Sequence, residues 1–304
     1  MAYRFDPHEA VDAAIRRIAR EQIDKAIDDL SPIDGDRHEG IHEARKRLKK
    51  LRGLARLAVR ATPEFAAREN ARFRDAGRTL SGVRDRTALI EALDGLAERF
   101  ENEGAAASFA AARAALERKR EEAIEAMGSE DAIAAAAIGH LKDARSRLDR
   151  FVLPGGSKRN QRFLVEAMGA NYRRARRDLK LAIRSKRAED FHDLRKRIKY
   201  LGMHLKLFEA LWPSVLIPWR EEADRAADAL GRDHDYAVLR AEMAADPLSF
   251  GPKGDLGGVL ALLVRHQGEL REEARERCAR LLAVRPKAFE RWIGTLWRLA
   301  ARPE

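Results

Sequence analysis

The sequence predicts an all-α protein of two pseudo-symmetric helical bundles, produced by internal duplication and facing each other across a basic central groove or channel. Three observations predict it. Ala, Leu and charged residues are abundant, Gly and Pro are sparse, and no segment alternates with period two in β-branched residues. His42, Arg45, Lys46, Arg47, Lys49, Leu51 and Leu57 recur 150 positions later as His192, Arg195, Lys196, Arg197, Lys199, Leu201 and Leu207. The same offset relates Pro63 to Pro213, Leu80 to Leu230, Asp85 to Asp235 and Leu89 to Leu239. A repeat of this length is a duplicated bundle, not a solenoid unit.

Asp6-Pro7-His8-Glu9 combines a cap residue, a proline at the first helical position and an early glutamate, so a helix is expected to start there. Val11, Ala14, Ile15, Ile18, Ile23, Ala26, Ile27 and Leu30 carry it at helical spacing. The run from Ser31 to Asp36 breaks the pattern. A second helix is expected over about 39–60, and a third from Thr62-Pro63-Glu64 to Leu80-Ser81-Gly82. Three more follow, at about 85–102, 105–127 and 130–150. Leu153-Pro154-Gly155-Gly156 opens a linker over 153–160, which divides the chain into halves 1–152 and 161–304. The second half repeats the order. A basic helix spans about 161–187, the second motif copy about 190–211, and a helix runs from Pro213 to Leu230-Gly231, with another from Asp235. After a loop at 246–252, helices of about 256–283 and 286–301 complete the pattern.

The chain carries 60 Lys plus Arg against 49 Asp plus Glu, a net charge of +11, so its field gathers polyanions. Cys278 is the single cysteine, which excludes an intrachain disulfide and a cysteine-rich zinc site and fits a reducing compartment. No run approaches the length of a membrane span and the first residues lack a signal-peptide core, so a cytoplasmic protein without membrane insertion is expected. Oligomeric state is not readable.

On the repeated helix Ile41, Ala44, Leu48, Leu51, Ala55 and Ala58 form one apolar stripe, and Phe191, Leu194, Ile198, Leu201, Leu205 and Phe208 the other. His42, Arg45, Lys46, Lys49, Arg52 and Arg56 share another face, as do His192, Arg195, Lys196, Lys199 and Lys206, with Gly202 in the place of Arg52. Arg173, Arg177 and Lys180 add positive charge from the preceding helix. Between residues 42 and 60 stand eight lysines and arginines and one acid, Glu43. Like charges at i,i+4 cost a helix a few tenths of a kcal/mol per pair, so such a face makes best sense with an anion to neutralise it. A row of forked guanidiniums and lysine point charges suits a long phosphate chain. Aromatics are only 6% of residues, which disfavours nucleic acid, whose bases need stacking platforms.

These motifs resemble the CHAD family, named for a conserved-histidine α-helical domain. His42, Arg45, Lys49 and Arg52 match the family's first His-x-x-Arg-x-x-x-Arg/Lys-x-x-Arg helix, and Arg84-Asp85 its later helix start. His192, Arg195, Lys196, Lys199 and the acidic Asp235 match the second half. The resemblance implies two pseudo-symmetric bundles around a basic central channel that binds inorganic polyphosphate without catalysis; no cofactor is expected, polyphosphate granules are a candidate location, and the few aromatics lead to an expectation of weaker nucleic-acid binding. The family departs from this chain at Lys46, usually apolar, at Lys49-Lys50, often paired arginines, and at Gly202-Met203, usually Arg-Tyr. The triphosphate-tunnel signature Glu-x-Glu-x-Lys of some relatives is absent, so the stand-alone form is expected.

Rival patterns exist. His38-Glu39-Gly40-Ile41-His42 fits the letters of a zinc motif, but lacks a third ligand and an echo in the second half. Glu39-x-x-His42 and Glu189-x-x-His192 resemble a bundle-core di-iron site, yet Arg45 and Lys46 would set strong positive charge beside the metal. His192-Asp193 with His140 and Asp235 suggests a metal-dependent all-α phosphohydrolase, although Glu43 stands where the repeat would need aspartate. His42 and His192 also have a structural role open to them, hydrogen bonding to Asp85 and Asp235, and those acids are expected as helix caps or as partners of Arg45 and Arg195.

Overall fold

The computed structural model describes residues 3–31, 37–103, 105–127, 129–250 and 253–302, and within these the side chains of His38, Val83, Arg84, Met127, Lys253 and Asp255 lie outside that description. The expected break at 32–36 likewise falls outside the described residues. Among them are eleven α-helices and no strand. Four lead to the linker's first-half side as α1 (Val11–Asp29), α2 (Arg37–Ala58), α3 (Pro63–Thr79) and α4 (Gly82–Arg99), followed by α5 (Ala106–Met127) and α6 (Glu130–Leu148). The second half holds α7 (Ser157–Ser185), α8 (Ala188–Phe208), α9 (Pro213–Ala245), α10 (Lys253–Leu281) and α11 (Pro286–Ala300).

Starts follow local chemistry. Pro63, Pro213 and Pro286 each open a helix in its first turn, where a missing N–H costs nothing. Ser129 caps α6, its hydroxyl accepting from the Ala132 N–H. Three boundaries differ from the sequence expectation. α1 begins at Val11, because the Asp6 carboxylate accepts from the His8 N–H and holds residues 7–9 as a turn. α7 begins at Ser157, so the linker is only 153–156 and Leu153 within it is buried. α9 runs unbroken through Gly231, whose penalty of about 1 kcal/mol in a helix interior is too small to stop an alanine-rich helix that buries Ala226, Ala227 and Ala229. At the matching place in the first half the chain does break. There Thr79 and Ser81 turn their hydroxyls back onto the Asp75 and Gly77 carbonyls.

α1 packs on α2 and α6, α2 on α3, and α4 on α5; in the second half α7 packs on α8 and α11, α8 on α9, and α9 on α10. α2 and α8 lie at the middle and touch each other. Being central, they bury more than one stripe: Leu54 and Leu57 are enclosed with Leu48 and Leu51, while Ala55 is only half-buried, and α8 encloses Tyr200, His204 and Leu207 besides its expected stripe. Gly53 marks the close approach, since a Cβ there would stand 3.1 Å from Met203 Sδ and 3.2 Å from Tyr3 Oη. The residues before α1 fasten the pair. Tyr3 Oη donates to the Lys50 carbonyl at 2.8 Å, the Phe5 N–H donates to the Leu207 carbonyl at 2.8 Å, and the Phe5 ring meets Phe208 and Trp297. Burying an aromatic such as Phe5 contributes roughly 1.5–3 kcal/mol, so the central pair is held rigidly.

Candidate functional site

A cleft of about 1070 Å³ opens along the exposed faces of α2 and α8, with α4 and α9 as its walls. Six of the residues singled out in the sequence line it on the basic side: His42, Arg45, Lys46, Lys49, Arg195 and Lys199. Asp85 and Asp235 face them from α4 and α9. The two copies of the motif therefore meet in one space.

Lys49 reports the electrostatics. Solvent reaches its side chain, yet the cleft walls crowd it, and this desolvation with the positive charges of Lys199, Arg45 and Arg195 pushes its pKa down to about 8. Lys199 is lowered too, by burial first and by Arg195, with Asp228, Asp235 and Asp224 offsetting part of the shift. Like charges gathered in one cleft repel one another at a cost.

The two arginines differ. Arg45 Nη1 donates to the Leu80 and Ser81 carbonyls at 3.2 and 3.3 Å and Nη2 to Asp85 Oδ1 at 3.0 Å, so it caps α3 and ties it to α4. Asp85 is thus the partner of Arg45 in the first turn of α4, not its cap, which is Ser81. Asp235 is not a cap either, lying within α9. Because α9 is continuous, the carbonyls matching Leu80 and Ser81 are spent inside the helix, and Arg195 Nε is buried without a hydrogen-bond partner. Burial pushes Arg195 below the usual arginine range, offset by Asp235 and Asp228, while burial pushes Asp235 above the usual carboxylate range.

His192 does not bond Asp235. Its ring lies 4.1 Å from that of His234, its Nδ1 is buried without a partner, and burial together with nearby Lys196 and Arg195 lowers its pKa. His234 falls further, to about 4, from burial and the same neighbours. Both rings are neutral at neutral pH. His42 lines the cleft.

The other candidates lie elsewhere. Arg52 occupies a side pocket beyond Lys49, and Arg56 a further one, its guanidinium 4.2 Å above the Tyr200 ring. Tyr200 is consequently buried and offers no stacking surface. Lys196 pairs with Asp193 and Lys46 with Glu43, an acidic partner at i−3 that both copies share. Lys206 donates to Glu209 at 2.7 Å. Arg173, Arg177 and Lys180 are exposed on α7, outside the cleft lining; Arg177 grips its neighbour Asp178, and Arg173 stands 3.9 Å from Glu290. Helical spacing alone cannot say toward which neighbour a basic face turns.

Sequence reasoning missed Arg99, Arg232, His234 and His266, which line the cleft too, as do Glu91 and Glu98. His234 was within reach, since it precedes Asp235 as Arg84 precedes Asp85. Among the described residues no group of three or more His, Cys, Asp or Glu side chains is placed to hold a metal ion. Glu189 of the di-iron pattern is exposed and pairs with Arg187 at 3.3 Å. No described helix is long and apolar enough to cross a membrane.

The CHAD domain profile matches residues 10–244. The chain belongs to the CHAD family. Its match covers both motif helices and the whole cleft-facing part of α4 and α9. A search of the curated proteins finds no match to this CHAD chain.

Proposed function

We propose that this CHAD protein binds inorganic polyphosphate in the α2–α8 cleft, without catalysis and without a cofactor, as a protein of the cytoplasm able to sit on polyphosphate granules. The observation that carries the reading is the cluster of Arg45, Lys49, Arg195 and Lys199, strained by mutual repulsion in one cleft. A chain of phosphates relieves that strain at each step, through counterion release and charge-assisted hydrogen bonds.

The cleft is also taken to be a channel between duplicated halves. The repeated order of helix pairings and the near-contact of Gly53 with its offset-150 counterpart Met203 support a pseudo-two-fold axis at that point. A single strand then touches equivalent residues of both copies. Nucleic acid is the weaker ligand, because Tyr236 is the lining's one Phe, Tyr or Trp and it is buried.

Competition between long-chain polyphosphate and RNA of equal charge tests the reading, run at two salt concentrations with and without chelator. Polyphosphate should displace RNA, weaken steeply with salt and ignore the chelator. Failure to displace RNA, or phosphate release that depends on added manganese or iron, would overturn it.

A further inference from the structure

The charges beside the cleft do not obey the repeat. On the first-half side the cleft continues into a pocket of about 250 Å³ that shares Arg45 and Lys49 with it and adds Arg52, Arg74 and Arg78. Among the described residues no carboxylate is in that pocket's lining. Arg74 and Arg78 share one exposed acid, Asp75, at 2.8 and 3.8 Å. Arg52 Nε then donates to Asn70 Oδ1 at 3.4 Å, and Asn70 lines a third pocket, of about 370 Å³, with Arg56, Arg60 and Arg174. Arg56 Nε there is buried with no partner.

The offset of 150 puts Gly202 in place of Arg52, Asp224 in place of Arg74 and Asp228 in place of Arg78. Asp224 fills the space a side chain at position 202 would need, its Oδ1 lying 2.9 Å from the site of a Cβ. Its other oxygen accepts from Arg220 Nη1 at 2.8 Å. Lys206, the counterpart of Arg56, is held by the buried Glu209. Both basic groups on that side are thus neutralised internally.

We propose that a polyphosphate bound in the cleft leaves it on one side only, along Arg52, Arg74 and Arg78 toward the Arg56–Arg60–Arg174 pocket, while Asp224 and Asp228 repel it from the other. The proposal rests on the polyphosphate reading. It makes a pseudo-symmetric domain a polar one, able to take a long chain by one route.

The test compares tripolyphosphate, short enough for the cleft, with long-chain polyphosphate. Arg74→Ala with Arg78→Ala removes two exposed side chains whose only ion-pair partner among the described residues is Asp75, so the fold is spared. This double variant should weaken the long chain about ten-fold or more and lower its salt slope by about 2, leaving tripolyphosphate within about two-fold. Asp224→Asn with Asp228→Asn should strengthen the long chain more than tripolyphosphate, since both acids also offset positive charge inside the cleft. Unchanged long-chain binding in the arginine variant, equal loss for both ligands, or no gain in the aspartate variant would each overturn the one-sided route. A wild-type protein that binds neither ligand would instead overturn the polyphosphate reading beneath it.

Discussion

Lys49 and Lys199 stand 150 residues apart in the sequence and face one cleft, where the charge on Lys199 helps to drive the Lys49 pKa down to about 8. Two like charges brought together by two helices have a cost in the empty protein and a use in the occupied one. The predictions follow from that opposition.

Raising pH should loosen the ligand and tighten the fold. Lys49 carries a lowered pKa when folded and the ordinary, higher one when unfolded, so between about 8 and 10 the unfolded chain holds more protons and stability rises with pH. Bound phosphate favours the charged lysine, so affinity is full below about 8 and falls as pH climbs through it. Lys49→Met should flatten both slopes, read by thermal unfolding and by polyphosphate titration from pH 7 to 9.5.

Arg45 and Arg195 should separate stability from binding. Arg45→Ala removes three hydrogen bonds that cap α3 and hold Asp85, and is expected to cost about 1–3 kcal/mol in chemical denaturation. Arg195→Ala removes a guanidinium whose Nε has no partner. It should change stability by less than about 1 kcal/mol, yet weaken polyphosphate by about ten-fold. Equal destabilisation by the two would show that Arg195 is held as firmly as Arg45.

His204 should make the centre acid-sensitive. It is fully enclosed, shares a hydrogen bond of 3.2 Å with the Gly53 carbonyl, and burial lowers its pKa to about 4. A histidine with a lowered folded pKa contributes its full stability above the unfolded value near 6.5 and loses it as pH falls toward 4, a loss on the order of 3 kcal/mol. His204→Leu, which restores the residue type of Leu54, should remove that part of the acid slope in melts from pH 7 to 4.

Gly53 should tolerate little. A Cβ there meets Met203 and Tyr3 at 3.1–3.3 Å, so Gly53→Ala asks flexible side chains to yield a few tenths of an ångström, and Gly53→Leu must part α2 from α8. The larger change should cost about 1–3 kcal/mol or more and weaken polyphosphate as the two basic helices separate. Thermal unfolding and binding measured on both variants would check this graded loss.

The helices and the meeting of the two motif copies were legible because both rest on periodic signals, apolar spacing along each helix and an offset of 150 between them. Gly231 misled because punctuation is weighed against packing, and buried alanines before it with buried Tyr236, Leu239 and Met243 after it carry α9 through. The membership of the cleft was legible for residues near the His-x-x-Arg turns and not beyond. Arg173, Arg177 and Lys180 share a face on α7, but α7 packs on α8, α11 and α2 with that face turned outward. His266 comes from α10, and only tertiary packing brings it to the cleft beside Asp235, whereas Arg232 lies one helical turn before Asp235 on α9.

The central claim is that one phosphate chain touches both copies at once, and Lys49→Glu, Lys199→Glu and the double variant test it most directly in polyphosphate titrations at two salt concentrations. Each single reversal should weaken binding about ten-fold or more and the pair should weaken it further, with the salt slope falling at each step. If either reversal left affinity and slope unchanged while the other abolished binding, the two helices would not share a ligand, and the account would be wrong.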